Sequence, residues 1–156
     1  MKPFTPRKRP EGALRAEADR FRGDPENMTA QDTKLWHTMS FADADRMIAW
    51  LTAVGFTEHA TYRDENDPSV VVHAEWLWPG GGGIMFGSKR PDGAVDNVGG
   101  SAAYLVTDDV DGVFERAVAA GATIQRELVD QDYGGRGGSV ADPEGNHWSF
   151  GDYQPK

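Results

Sequence analysis

A chain of 156 residues with 38% hydrophobic residues, 26% charged residues and no cysteine describes an ordinary folded protein. Disulfides, thiolate nucleophiles and zinc–thiolate sites are excluded. The formal net charge of -9 disfavours nucleic acid as a partner, because phosphate binding needs the opposite field, and no apolar run is long enough to span a bilayer.

Residues 1–33 carry seven Lys/Arg against six Asp/Glu, whereas residues 34–156 carry nine against nineteen. The first stretch reads as an extension punctuated by Pro3, Pro6, Pro10 and Pro25, with one short helix expected over Glu11 to Arg22. No apolar segment follows its basic start, so no secretory signal is expected and the cytoplasm is the expected compartment. An acidic body favours solubility, and also attracts a cationic small molecule.

From residue 34 onward, strand-like and helix-like segments alternate. Leu35 to Phe41 reads as a strand. Asp43 to Val54 reads as a helix with Met47, Ile48, Leu51 and Val54 on one face, Asp43 as its N-cap and Gly55 as its stop. Three strands follow, Thr57 to Arg63, Ser69 to Trp78 and Gly83 to Ser88, with turns at Asp64–Pro68 and Pro79–Gly82. The order then repeats: strand Ala102 to Thr107, helix Asp109 to Ala120, and strands Thr123 to Val129, Ser139 to Ala141 and His147 to Phe150.

Asp43 to Gly55 and Asp109 to Gly121 have the same spacing, twelve residues. The helix face Met47, Ile48, Leu51 maps onto Val113, Phe114, Ala117, and Ile84-Met85-Phe86-Gly87 onto Trp148-Ser149-Phe150-Gly151. Matches in helix start, face, end and closing strand point to internal duplication. The expected architecture is α+β: two tandem βαβββ repeats forming curved mixed sheets around a cleft, a natural small-molecule site. Repeat one is expected over 34–88, a linker over 89–100 and repeat two over 101–153, in one domain spanning 34–156.

Two further runs carry more specific information. Tyr133-Gly134-Gly135-Arg136 followed by Asp142-Pro143-Glu144-Gly145-Asn146-His147-Trp148-Ser149-Phe150-Gly151 resembles the closing motif of vicinal oxygen chelate proteins, in particular the glyoxalase/bleomycin-resistance/dioxygenase group. His73-Ala74-Glu75-Trp76 and Gly82-Gly83-Ile84-Met85-Phe86-Gly87 resemble the same group's mid-chain signature. The likeness covers about Lys34 to Tyr153. It implies that fold, and a homodimer, since relatives pair sheets across subunits. It also implies four metal-binding positions, two per repeat, usually His, Gln or Glu. Carried onto this chain, those positions fall on His37, Met85, Ser101 (Ala103 if the register slips) and Ser149. A divalent metal needs three or four good N, O or S donors, and Met85 and the serines do not supply them, so no metal or other cofactor is expected.

Several residues have two readings. His37 is a cavity-wall histidine or a ligand. His73 and Glu75, two apart on one strand, face the same side, as a structural pair or an acid/base pair. Trp76 and Trp78 suit core or dimer packing, or stacking on a flat ligand. Arg136, among glycines, grips a carboxylate or phosphate, or pairs with a nearby acid such as Asp132.

The sequence thus predicts a metal-free small-molecule binding protein of the glyoxalase/bleomycin-resistance type, sequestering a drug-like or cationic ligand, with neither nucleic acid nor membrane as partner. His37, Trp76, Met85, Ser101, Arg136 and Ser149 are its candidate ligand-binding residues. The alternative is a metalloenzyme of the superfamily, a lyase, isomerase or dioxygenase, using His37 with His73 and Glu75 in a rearranged site. A third reading is a scaffold without a ligand.

Overall fold

The structure, a computed structural model, describes residues 29–156. The helix expected over Glu11 to Arg22 lies outside the described residues. The elements run β1 (Trp36–Phe41), α1 (Ala44–Val54), β2 (Thr57–Arg63), β3 (Val71–Leu77), β4 (Gly83–Ser88), β5 (Ala102–Val106), α2 (Val110–Ala119), β6 (Thr123–Asp130), β7 (Arg136–Ala141) and β8 (His147–Gly151). They form two four-stranded mixed sheets of identical order, β1-β4-β3-β2 and β5-β8-β7-β6. In each, the first strand runs parallel to the last and the remaining pairs are antiparallel.

Local chemistry accounts for both helices. The Asp43 carboxylate accepts from the Arg46 amide at the start of α1, and Gly55, at φ 125, ends it with its own N–H on the Leu51 carbonyl. Only glycine adopts that backbone without strain. Asp109 plays the same part for α2, accepting from the Gly112 amide. The buried face of α1 is broader than the periodic stripe: Trp50 is buried with Met47, Leu51 and Val54, whereas Ile48 is only partly covered.

The extra face exists because the two units pack helix against helix. The Trp50 indole N–H donates to the Ala117 carbonyl of α2 at 3.0 Å, and its ring lies 5.5 Å from that of Trp148. Phe56 touches both Trp78 and Trp148, and the Trp78 N–H donates to Val106 O. The helix-side faces of both sheets therefore share one core, with Phe41, Ala74, Trp76, Ile84 and Phe86 from the first sheet and Val140, Trp148 and Phe150 from the second. Among the described residues no helix covers the opposite face of either sheet.

β3 is shorter than expected, Val71–Leu77 rather than Ser69–Trp78, and β7 departs furthest. β7 starts at Arg136, three residues earlier than its hydrophobic pattern indicates. Gly137 and Gly138 carry no side-chain signal, yet they belong to the ladder. A Cβ on Gly137 would lie 3.0 Å from Phe150 O, and one on Gly138 2.9 Å from Arg126 O. Glycine lets neighbouring backbone come this close.

Candidate functional site

Strand register decides which side chains share a wall. In the first sheet, Thr38 pairs with Met85, and Met85 with Glu75, while His37 pairs with Ile84. Ile84 is buried in the core, so His37 belongs to the helix side and Met85 to the open face. The expectation that His37 and Met85 line one site is corrected by a single residue, because neighbouring strand positions face opposite ways. In the second sheet Tyr104 pairs with Ser149, and Ser149 with Ser139. Ser101 precedes β5 and is buried. Its hydroxyl accepts from the Asn97 side-chain amide and its N–H donates to Asn146 Oδ1, fastening the linker.

The positions that correspond between the two open faces are thus Thr38 and Met85 in one sheet, Tyr104 and Ser149 in the other. They supply two hydroxyls, a phenol and a thioether, and that donor set does not fit a divalent nickel, zinc or manganese ion. Among the described residues no group of three His, Asp or Glu side chains is arranged to hold a metal.

Other polar groups occupy these faces. The His73 imidazole lies 3.0 Å from one oxygen of Glu75, and His59 lies 3.8 Å from the other. The Tyr62 ring stacks on His73, with centroids 6.4 Å apart. A groove of about 230 Å³, lined by Thr38, His73, Met85 and Arg90 among others, runs beside this pair. On the second sheet, His147 Nε2 is 2.9 Å from the Ser149 hydroxyl, and its Nδ1 meets the Gln125 side-chain carbonyl.

Comparison with known proteins agrees with this architecture. Residues 31–150 match the family described as Glyoxalase/Bleomycin resistance protein/Dioxygenase superfamily. The chain belongs to that superfamily. Among solved structures, TioX from Micromonospora sp. ML1 superposes with a TM-score of 0.62 at 29% identity, covering 78% of this chain and 99% of TioX. A glyoxalase family protein from Bacillus cereus gives a TM-score of 0.61 at 16% identity over 81% of this chain and 95% of its own. A glyoxalase I variant from Zea mays gives 0.59 at 20% identity, over 79% of this chain and 46% of its own. An uncharacterized protein of Mycobacterium bovis is 54% identical over 48 residues, 31% of this chain and 32% of that protein. An uncharacterized protein of Mycobacterium tuberculosis matches at the same level, so the chain spans about a third or less of the curated relatives it matches.

For this superfamily member the remaining candidates fall in separate places. Trp76 is buried on the helix side, 6.1 Å from the Phe86 ring, with its N–H on Thr61 Oγ1; it is core rather than an open-face plate. Arg136 lies on β7, not in a loop, and its guanidinium bridges Asp111 and Asp130 rather than Asp132. That pairing holds the Asp111 carboxyl below its ordinary range. Sequence reasoning missed Thr38, Tyr104, His59 and Gln125. The first two were one to three residues from the positions it chose, and pairing register, which no local pattern reports, was the missing signal.

His37 lines a large cavity between the two units. Its Nε2 is buried with no hydrogen-bond partner among the described residues, and desolvation lowers its pKa below the ordinary 6.5, since burial disfavours the charged ring. The folded protein therefore takes up this proton at lower pH than the unfolded chain. Its cost to stability is absent above pH 6.5 and grows as pH falls through the window between the unfolded and the folded pKa. In denaturation curves between pH 7.5 and 5, about the range where histidine charges, wild type is expected to lose more stability than His37→Gln. Parallel curves for the two would show that His37 is not desolvated.

Proposed function

We propose that this protein binds a small organic molecule on its open sheet faces without the help of a metal ion. The observation that supports this best is the register itself: Thr38 beside Met85 and Tyr104 beside Ser149 leave a site rich in hydrogen-bonding and apolar contacts but poor in metal donors. Binding and sequestration need no catalytic group, and the net charge of -9 favours a cationic or neutral molecule over an anion. Tyr62, Tyr104 and Val129 are 60%, 48% and 45% exposed on these faces. Large apolar side chains left uncovered in this way suit a second copy closing over them, as a homodimer.

The deciding measurement is metal content of purified protein after incubation with nickel, cobalt, zinc, manganese and iron. Retention near background is expected, and one tightly held ion per chain overturns the reading. Sedimentation equilibrium is expected to return a dimer; a strict monomer removes the covering copy.

One observation favours a second reading, an enzyme without a metal. Glu75 next to His73 Nε2, at 3.0 Å, fixes the tautomer that leaves Nδ1 free as a base. If the protein turns over a substrate by proton transfer, His73→Ala is expected to reduce the rate about 10²–10⁴-fold. Binding without turnover, unchanged in that variant, returns the sequestration reading.

A further inference from the structure

A cavity of about 1000 Å³ lies between the two units, walled mainly by helix-side residues and reaching Tyr104 at the edge of the second open face. Phe56, Trp78 and Ile84 come to its wall from the first unit, Leu105, Val113 and Trp148 from the second. Protein interiors are close-packed, with few voids larger than a water molecule, and small-molecule sites span about 300–1,000 Å³. The space between the two units is partly open to solvent, a cleft of ligand size rather than an enclosed void.

Its chemistry is specific. The Trp78 and Trp148 N–H groups are already spent, on Val106 O and on the Asp142 carboxylate, so the aromatic wall is apolar. His37 contributes an imidazole whose charged form burial disfavours, with an Nε2 that has no hydrogen-bond partner among the described residues. Asp108 and Asp109 stand at the rim, where Arg116 is engaged by Asp109 at 3.4 Å. The mouth therefore carries net negative charge. Gly80, Gly81 and Gly82, at φ 90, 128 and 84, form the turn beside it. A Cβ on Gly80 or Gly82 would meet nothing within 4 Å, so no side chain among the described residues crowds the turn at the entrance.

We propose that this inter-unit cavity is a second ligand site, for an apolar molecule of two or three rings, neutral or bearing an amine, that hydrogen-bonds the His37 imidazole. The walls take up the apolar body, the imidazole gains the partner it lacks, and the acidic rim selects against anions. Thr38, His73, Glu75, Met85 and Ser149 are not on this wall and Tyr104 alone is shared, so variants at His37, Ala103 and Asp108 test this cavity separately from metal-free binding on the open faces.

The test uses a matched pair of fluorescent probes, neutral phenylnaphthylamine and its anionic sulfonate, titrated into the full chain. Saturable one-to-one binding of the neutral probe is expected, with the sulfonate about ten-fold weaker. His37→Phe, which keeps the volume and loses the nitrogens, is expected to weaken the neutral probe about five-fold. Ala103→Phe, which fills the cavity from β5, is expected to abolish binding while the circular dichroism spectrum stays unchanged. Should that variant lose its fold, Asp108→Lys at the exposed rim decides: the sulfonate tightens and the neutral probe does not. No saturable binding of the neutral probe overturns the proposal. So does equal binding by folded Ala103→Phe, or a sulfonate affinity indifferent to Asp108→Lys.

Discussion

Trp50→Ala is expected to destabilise the protein by about 3–5 kcal/mol. Trp50 is 1% exposed and sits where the two units meet. Truncation removes its ring from Trp148, 5.5 Å away, and leaves the Ala117 carbonyl without the indole N–H that reaches it from α1. Neither helix can collapse into the space without dragging its own sheet along, so the transfer loss is joined by a cavity penalty. A domain of this size has about 5–15 kcal/mol in all, so the variant is expected to populate unfolded chain under mild denaturant. Trp50→Phe separates the two contributions: it keeps most of the apolar contact, drops the donor and is expected to cost about 1–2 kcal/mol. Urea denaturation followed by far-ultraviolet circular dichroism measures both. A Trp50→Ala midpoint close to wild type would mean that the units fold independently, and the shared core would have to be abandoned.

Asp142→Ala is the second, at about 3 kcal/mol. The residue is 5% exposed and acts as a hub. Its Oδ1 accepts from the amides of Glu144 and Asn146, and its Oδ2 from the Asn146 side chain and the Trp148 indole. Alanine would strand buried donors, each of which costs far more unmade than its bond contributes when made. The damage would also spread. The turn that Asp142 shapes presents Glu144, whose carboxylate accepts from the amides of Ala42 and Asp43, both at 2.7 Å, at the start of α1 in the other unit. Asp142→Asn keeps an acceptor at Oδ1 and is expected to lose about half as much. Near-ultraviolet circular dichroism, which reports the Trp148 environment, tracks the loss. Wild-type stability in Asp142→Ala would show that the closing motif is kept for something other than architecture.

These two residues bear on how the superfamily signature reads in this chain. The run from Asp142 to Trp148 signals the fold because its side chains build the fold: a turn, a cap on a distant helix and an anchor for a core tryptophan. Function has to be argued from the walls instead.

Helix limits, the tandem repeat and the fold class were legible in the chain, because each rests on chemistry between near neighbours. Asp43 and Asp109 cap the amides just after them, Gly55 supplies a positive φ where a helix stops, and apolar spacing follows the period of the element. Pairing register and the docking of the two units were not legible in the chain. Whether His37 joins Met85 on the open face or Ile84 in the core depends on hydrogen bonds between β1 and β4, more than forty residues apart in sequence, and a shift of one residue exchanges the faces. Arg136 chose Asp111 because α2 and β7 meet in space, not because of proximity along the chain. The inter-unit cavity arises only when α1 packs on α2 and leaves Phe56, Trp78 and Trp148 around a gap. Local interactions settle what each segment becomes; non-local pairing settles which side chains look at one another, and that decides the sites.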